Sequence, residues 1–183
     1  MLTPCFKSME TSRLLLRSIR LEDATQFYTG LGSSEAVTRH MLWKAHASPE
    51  ESVQSIRKAI GRYETMESCR WAITRKDDGT LIGIIDLMPR EESCTFAYML
   101  AQDHWNRGYG TEALKAVLDF AFREWNAESV FADHFSENRA SGIVMEKAGM
   151  KCTGILPAKY EKNGVQYDAP QYRITRQEWE EKL

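Results

Sequence analysis

The order of elements in the sequence predicts a mixed α/β fold, and three observations carry that expectation. Asp78-Gly79 is a hairpin turn leading into an apolar run, and Asn163-Gly164 is a second such turn near the C-terminus; both call for antiparallel strand pairs. In the middle, a long amphipathic helix separates two strand-length runs, 94–100 and 129–135. A strand–helix–strand crossover of this kind requires at least one parallel pair. No repeat, low-complexity segment or Pro/Gly/Ser-rich linker divides the 183 residues. That length suits one domain over 1–183 rather than two.

The elements follow in order. Residues 13–18 read as a strand carrying Leu14, Leu15 and Leu16, and residues 21–29 as a helix ending near Gly30 and Gly32. A second helix starts at Ser48, with Pro49 at its first position and Glu51 completing a capping box. Val53, Ile56, Ile60 and Tyr63 then recur at helical spacing. Trp71 and Ile73 alternate with polar residues in a strand, and residues 80–88 form the next. After the 94–100 strand comes a polar stretch, 101–107, then Gly108 and Gly110, then the long helix. Its apolar face is Ala113, Leu114, Val117, Leu118, Ala121 and Phe122. The 129–135 strand leads to a helix over 138–148 closed by Gly149, and two strands, 151–155 and 166–174, finish the fold.

Composition narrows the partners. Hydrophobic residues are 43% and charged residues 27%, which is ordinary for a globular chain. A net charge of −2 gives no basic field for a nucleic acid. No stretch reaches membrane-spanning length and the N-terminus lacks a basic segment followed by an apolar run. A soluble, cytoplasmic protein with neither nucleic-acid nor membrane partner is expected. Cys5, Cys69, Cys94 and Cys152 are scattered, and no Cys/His grouping has zinc spacing. Thiols in a reducing compartment, and no metal, are the expectation.

Residues 105–113, Trp-Asn-Arg-Gly-Tyr-Gly-Thr-Glu-Ala, join a strand to a helix. Gly108 and Gly110 let the backbone turn tightly and approach a ligand, and a helix start offers unpaired N–H groups and about half a positive charge. Together these make a phosphate site, to which Arg107 adds a charge-assisted contact. A P-loop is excluded because no G-K-[ST] ending is present. The dinucleotide fingerprint G-x-G-x-x-A is satisfied by Gly108, Gly110 and Ala113, with Asp133 near the expected distance. Against it, a polar segment separates the strand from the first glycine, and only 50 residues follow Asp133. A helix start that uses glycine for packing alone is the third reading. The loop by itself leaves these open.

Wider motifs bear on the choice. Thr11-Ser12-Arg13-Leu14-Leu15-Leu16-Arg17, Asp23-Ala24 and Phe96-Ala97-Tyr98-Met99-Leu100 precede Trp105-x-x-Gly108-Tyr109-Gly110-Thr111-Glu112-Ala113-Leu114. After it come Asn138-x-x-Ser141, Glu146-Lys147-x-Gly149-Met150, Gly164-x-x-x-Asp168-x-x-x-Tyr172 and Arg176-x-Glu178-Trp179. In this order the chain resembles the GNAT acetyltransferase superfamily, specifically its ribosomal-protein N-α-acetyltransferase-like (RimJ/RimL) branch. The resemblance spans nearly the whole chain. One departure is Trp105, where the superfamily has Gln or Arg. The resemblance implies a GNAT fold: a mixed, mostly antiparallel sheet of about seven strands with splayed central parallel strands, flanked by helices.

The resemblance also implies the chemistry: an N-acetyltransferase in which an amine attacks acetyl-coenzyme A directly, with acetyl-CoA as co-substrate and no metal. Met99, Leu100 and Ala101 would pair with pantetheine, and a backbone N–H near Met99 would polarise the thioester. Such a donor contributes on the order of 3 kcal/mol. Arg107, Gly108, Tyr109, Gly110 and Thr111 would hold the pyrophosphate. Ser141 would protonate the departing thiolate, and Asn138 would orient pantetheine or a water. Both residues also suit helix capping. Asp86, Asp133 and His134 are candidate bases. Glu112 reads as structural, an acid in a helix's first turn. Cys94 and Cys152 would serve only a covalent route that has no His/Cys pairing to support it.

In this family the acceptor lies between the first helices and the last hairpin, here 31–47 and 157–169. These hold His40, Trp43, His46, Tyr160 and Tyr167. The branch acts on ribosomal-protein N-termini and on small amines, so a peptide N-terminus or a small-molecule amine is the expected acceptor. A non-catalytic acyl-CoA-binding module is the rival class. A monomer or homodimer is expected.

Overall fold

A computed structural model describes residues 7–182. Eight strands form one sheet in the order β1-β2-β3-β4-β5-β6-β8-β7. The strands are β1 (Met9–Glu10), β2 (Leu14–Ser18), β3 (Cys69–Arg75), β4 (Leu81–Pro89), β5 (Ser93–Leu100), β6 (Ser129–Asp133), β7 (Lys151–Lys162) and β8 (Val165–Thr175). Neighbours pair antiparallel except β5 and β6, the crossover pair anticipated around the long helix. The helices are α1 (Ala24–Phe27), α2 (Glu35–Thr38), α3 (Pro49–Thr65), α4 (Tyr109–Arg123), α5 (Arg139–Lys147) and α6 (Arg176–Glu180). None among the described residues is long and apolar enough to cross a membrane.

Helix α4 buries the stripe its sequence spells. Ala113, Leu114, Val117, Leu118, Ala121 and Phe122 are each at most 1% exposed. They lie against strand residues such as Trp71, Ile82, Ile84 and Val130, also buried, in one continuous core. Phe120, on the same helix, meets Trp71 edge-on at 5.1 Å, a favoured aromatic geometry.

Several local expectations are corrected. The helix expected at 21–29 is a chain of short pieces: a 3₁₀ turn (Leu21–Asp23), α1, and a π turn (Tyr28–Gly32) that runs through both glycines. Gly32 permits this because a Cβ there would lie 2.8 Å from His46 Nδ1 and 2.9 Å from Ser52 Oγ. At α3, Ser48 is the N-cap without a side-chain cap bond, and Glu51 instead accepts from the Ala47 N–H. The last hairpin is longer than expected and carries an irregularity between Leu156 and Tyr160. There Pro157 has no N–H for the ladder and Ala158 is left-handed (φ 48°). Cys69 is disulfide-bonded, so the expectation of thiols holds for Cys94 and Cys152 alone among the described residues; Cys5 lies outside them.

Candidate active site

The site begins where the parallel pair stops. The β5–β6 ladder runs from Ser93↔Ser129 to Thr95↔Phe131, yet β5 continues to Leu100 along β4. Its second half therefore borders β4 on one edge and an opening on the other. Alternate residues of a strand turn their N–H and C=O to opposite edges. The Ala101 N–H donates to Ile82 O at 2.8 Å. Met99 O likewise faces β4, 2.5 Å from where a Cβ on Gly83 would lie. Leu100, Tyr98 and Phe96 thus turn their peptide groups toward the opening. This corrects the expected set: of Met99, Leu100 and Ala101, only Leu100 has backbone groups on the open edge. The donors flanking Met99 that face it are the N–H groups of Tyr98 and Leu100.

Beyond β5 a 3₁₀ turn (Gln102–His104) leads to the glycine loop. Trp105, 41% exposed, donates its indole N–H to Leu100 O at 2.8 Å and so ties the loop to the strand end. Asn106 (φ 58°) and Gly108 (φ 80°) are both left-handed, which turns the chain sharply into α4 at Tyr109. The first N–H groups of α4 have no partner within the helix. Its first turn sits directly over β5, since a Cβ on Gly110 would meet Leu100, Tyr98 and Val144 at 3.4–3.5 Å. Glu112 is structural, as expected, but through more than the helix dipole. It accepts from Thr11 Oγ1 (2.6 Å), Ser12 Oγ (3.1 Å) and the Arg13 N–H (2.9 Å). Burial opposes its charge, and these hydrogen bonds outweigh burial to hold the carboxyl below its ordinary value.

Ser141 lies in the first turn of α5, 7% exposed, with its hydroxyl beside the Tyr98 phenol. Burial pushes that phenol's pKa up, and the neighbouring Ser141 hydroxyl works the other way. Asn138 occupies the N-cap of α5, but its side chain makes no capping bond, so capping does not account for it. Ser141 and Tyr98 thus join α5 to the strand whose edge is open.

The candidate bases separate. Asp86 is bound by both arms of Arg70, at 2.7 and 2.8 Å. Asp133 is held by Lys159 and the Tyr160 hydroxyl. His134, 7% exposed, is bonded through Nδ1 to Phe135 O at 2.7 Å, while its Nε2 is buried without a protein partner. The Cys94 thiol is pushed up to about 11 by burial, so it is protonated near neutrality and a poor nucleophile.

Just beyond the end of β6, three of the five residues expected near an acceptor converge on Phe135. Tyr160 stacks on it (4.5 Å), Tyr167 meets it edge-on (5.2 Å) and His40 lies 6.0 Å away. Trp43 and His46 do not join them. They pack on each other at 4.9 Å, and His46 turns to Phe27 and Ser52. Phe135 was not singled out from the sequence. Its signal was alternation: in a strand over 129–135 it falls on the same face as Asp133. The expected segments are also tied to each other, because Lys162 of β7 donates to the carbonyls of Thr38 (2.8 Å), Arg39 (3.1 Å) and Met41 (2.7 Å) at the end of α2.

A sheet opened beside its parallel strands, with a left-handed glycine turn and a helix start at the mouth, is the architecture of the splayed-sheet acyltransferases. It is not a doubly wound dinucleotide fold, which needs a largely parallel sheet. Residues 13–151 match the acetyltransferase (GNAT) domain, and the chain belongs to that family. An uncharacterized N-acetyltransferase of Bacillus subtilis, YoaA, is 29% identical over 174 residues, covering 93% of this chain and 98% of its own. Among solved structures, RimL, a ribosomal L7/L12 α-N-protein acetyltransferase in complex with coenzyme A, aligns with a TM-score of 0.83 at 15% identity, over 92% of this chain and 98% of its own. The microcin C7 self-immunity acetyltransferase MccE, in complex with acetyl-CoA and AMP, aligns at 0.82 and 18%, over 90% and 93%. At these identities the structural likenesses establish the fold.

Proposed function

We propose that this chain moves the acetyl group of acetyl-CoA to a primary amine by direct attack. One observation carries the reading. The open edge of β5 lies under the first turn of α4, which the glycine turn starts, so an extended arm and an anionic group find adjacent sites. In this reading the N–H groups of Gly108, Tyr109, Gly110 and Thr111, with the Arg107 side chain, hold the pyrophosphate. Leu100 and Tyr98 pair with pantetheine, and the Tyr98 N–H polarises the thioester carbonyl. The amine attacks the carbonyl carbon and gives up a proton to solvent, the C–S bond breaks, and Ser141 passes a proton to the thiolate as it regains one from water. Asn138 orients pantetheine or a water beside it.

For the acceptor we favour a protein or peptide N-terminus, which the half-buried aromatic group around Phe135 suits. A small-molecule amine is the second reading, favoured by the Lys162 tie that draws the hairpin over the end of α2. Calorimetry with acetyl-CoA and NAD tests the donor: saturable acetyl-CoA binding is expected, and its absence overturns the proposal. Thiol release measured across N-terminal peptides, polyamines, amino acids and aminoglycosides then tests the acceptor. Tight binding with no turnover on any amine would instead make the chain a binding module.

A further inference from the structure

The glycine turn does not hold its shape alone. Arg107 sits between two left-handed residues, Asn106 and Gly108, and the turn is exposed. What reaches it from elsewhere is Arg13, the residue just before β2. Its Nη1 donates to Arg107 O at 3.0 Å, and its Nη2 is 3.4 Å from where a Cβ on Gly108 would lie. The same guanidinium grips Glu112 with Nε (2.7 Å) and Nη2 (2.6 Å), and its carbon lies 4.4 Å above the Tyr109 ring. One side chain therefore touches the turn and the first residues of α4 together.

A trans peptide is planar, with its C=O and N–H pointing in opposite directions. Fixing Arg107 O toward Arg13 therefore aims the Gly108 N–H away from Arg13. Glu112 raises a second issue. A carboxylate in the first turn of α4 favours the helix dipole but repels an arriving phosphate. Pairing with Arg13 cancels that repulsion while Glu112 keeps its anchoring bonds to Thr11 and Ser12. Arg13 is 47% exposed, so its ion pair adds little to stability by itself. Its effect lies in geometry and local charge.

We infer that Arg13 is a positioning residue for the donor: it aims the Gly108 N–H at the coenzyme's pyrophosphate and neutralises Glu112 beside it. This rests on the acetyl-CoA reading above. The test uses the full chain, labelled with ¹⁵N, and coenzyme A as the probe. In the wild type, coenzyme A moves the Gly108 amide proton downfield. In Arg13→Gln that shift is largely lost and calorimetric affinity for coenzyme A falls about tenfold, the scale of one charge-assisted hydrogen bond. Arg13→Lys keeps the charge but not the fork, and is expected to retain part of the affinity without restoring the shift. It serves as the test variant if Arg13→Gln does not fold. Wild-type affinity in the variants overturns the inference. So does a loss of affinity that leaves the Gly108 shift intact, because that is the signature of general destabilisation. A wild type that binds no coenzyme A removes the donor reading itself, and this inference with it.

Discussion

Replacing Ser141 by Ala removes a hydroxyl that is 7% exposed and lies beside the Tyr98 phenol. Two effects follow, and they are separable. The Tyr98 hydroxyl loses its polar neighbour, which costs at most about 1–3 kcal/mol. For a chain of this size that lowers Tm by roughly 2–12 °C. If Ser141 protonates the thiolate, turnover also falls by about two orders of magnitude, the lower end for a positioned acid. Tyr98→Phe is the control. It removes the other hydroxyl of the pair and keeps the serine, so it should reproduce the fall in Tm with turnover within about threefold of wild type. The double variant should recover part of the lost stability, because neither partner is left unpaired. The assays are thermal denaturation, acetyl-CoA calorimetry, and thiol release with the best amine of the panel. Wild-type turnover in Ser141→Ala refutes the acid role. Equal losses of acetyl-CoA affinity and turnover, or a Tyr98→Phe defect as large as that of Ser141→Ala, refute it as well.

Other outcomes follow from the same structure. Gly108→Ala places a side chain on a left-handed residue (φ 80°), which costs about 1–2 kcal/mol; calorimetry should show weakened acetyl-CoA binding, and unchanged binding would remove the turn from the phosphate site. Leu118→Ala, at a site 1% exposed in the core, should lose about 3 kcal/mol and roughly 6–12 °C in Tm; a loss under 1 kcal/mol would mean that α4 is not packed as described. The Glu178 carboxyl is held down at about 2, first by Lys151 and then by the Thr175 N–H of its capping box. Its folded pKa lies below its unfolded one, so its contribution is complete above about pH 4.5 and fades as the pH falls toward 2. Glu178→Gln should therefore narrow the gap to wild type in acid; a gap that is constant from pH 7 to pH 2 would contradict this.

The elements whose signals are local were legible in the chain. Asp78-Gly79 turns where expected, the six apolar positions of α4 are all buried, and Gly108 adopts the positive φ that only a left-handed turn requires. Dipeptide conformation and helical periodicity depend on neighbours a few residues away, so the sequence carries them whole. The crossover around α4 also specified a parallel pair, and the pair is β5–β6. What the sequence did not contain is which edge of β5 each residue faces. Met99, Leu100 and Ala101 are alike in type, and only the register with β4, set by Ala101 against Ile82, shows that Tyr98 and Leu100 look into the opening. The same holds for contacts across long loops. Phe135 draws Tyr160, Tyr167 and His40 together while Trp43 and His46 turn elsewhere, and Arg13 reaches Arg107 across 94 positions. Local chemistry determined the turn, the helix and the family. The facing of peptide groups and the meeting of distant side chains are properties of packing, and only the folded sheet decides them.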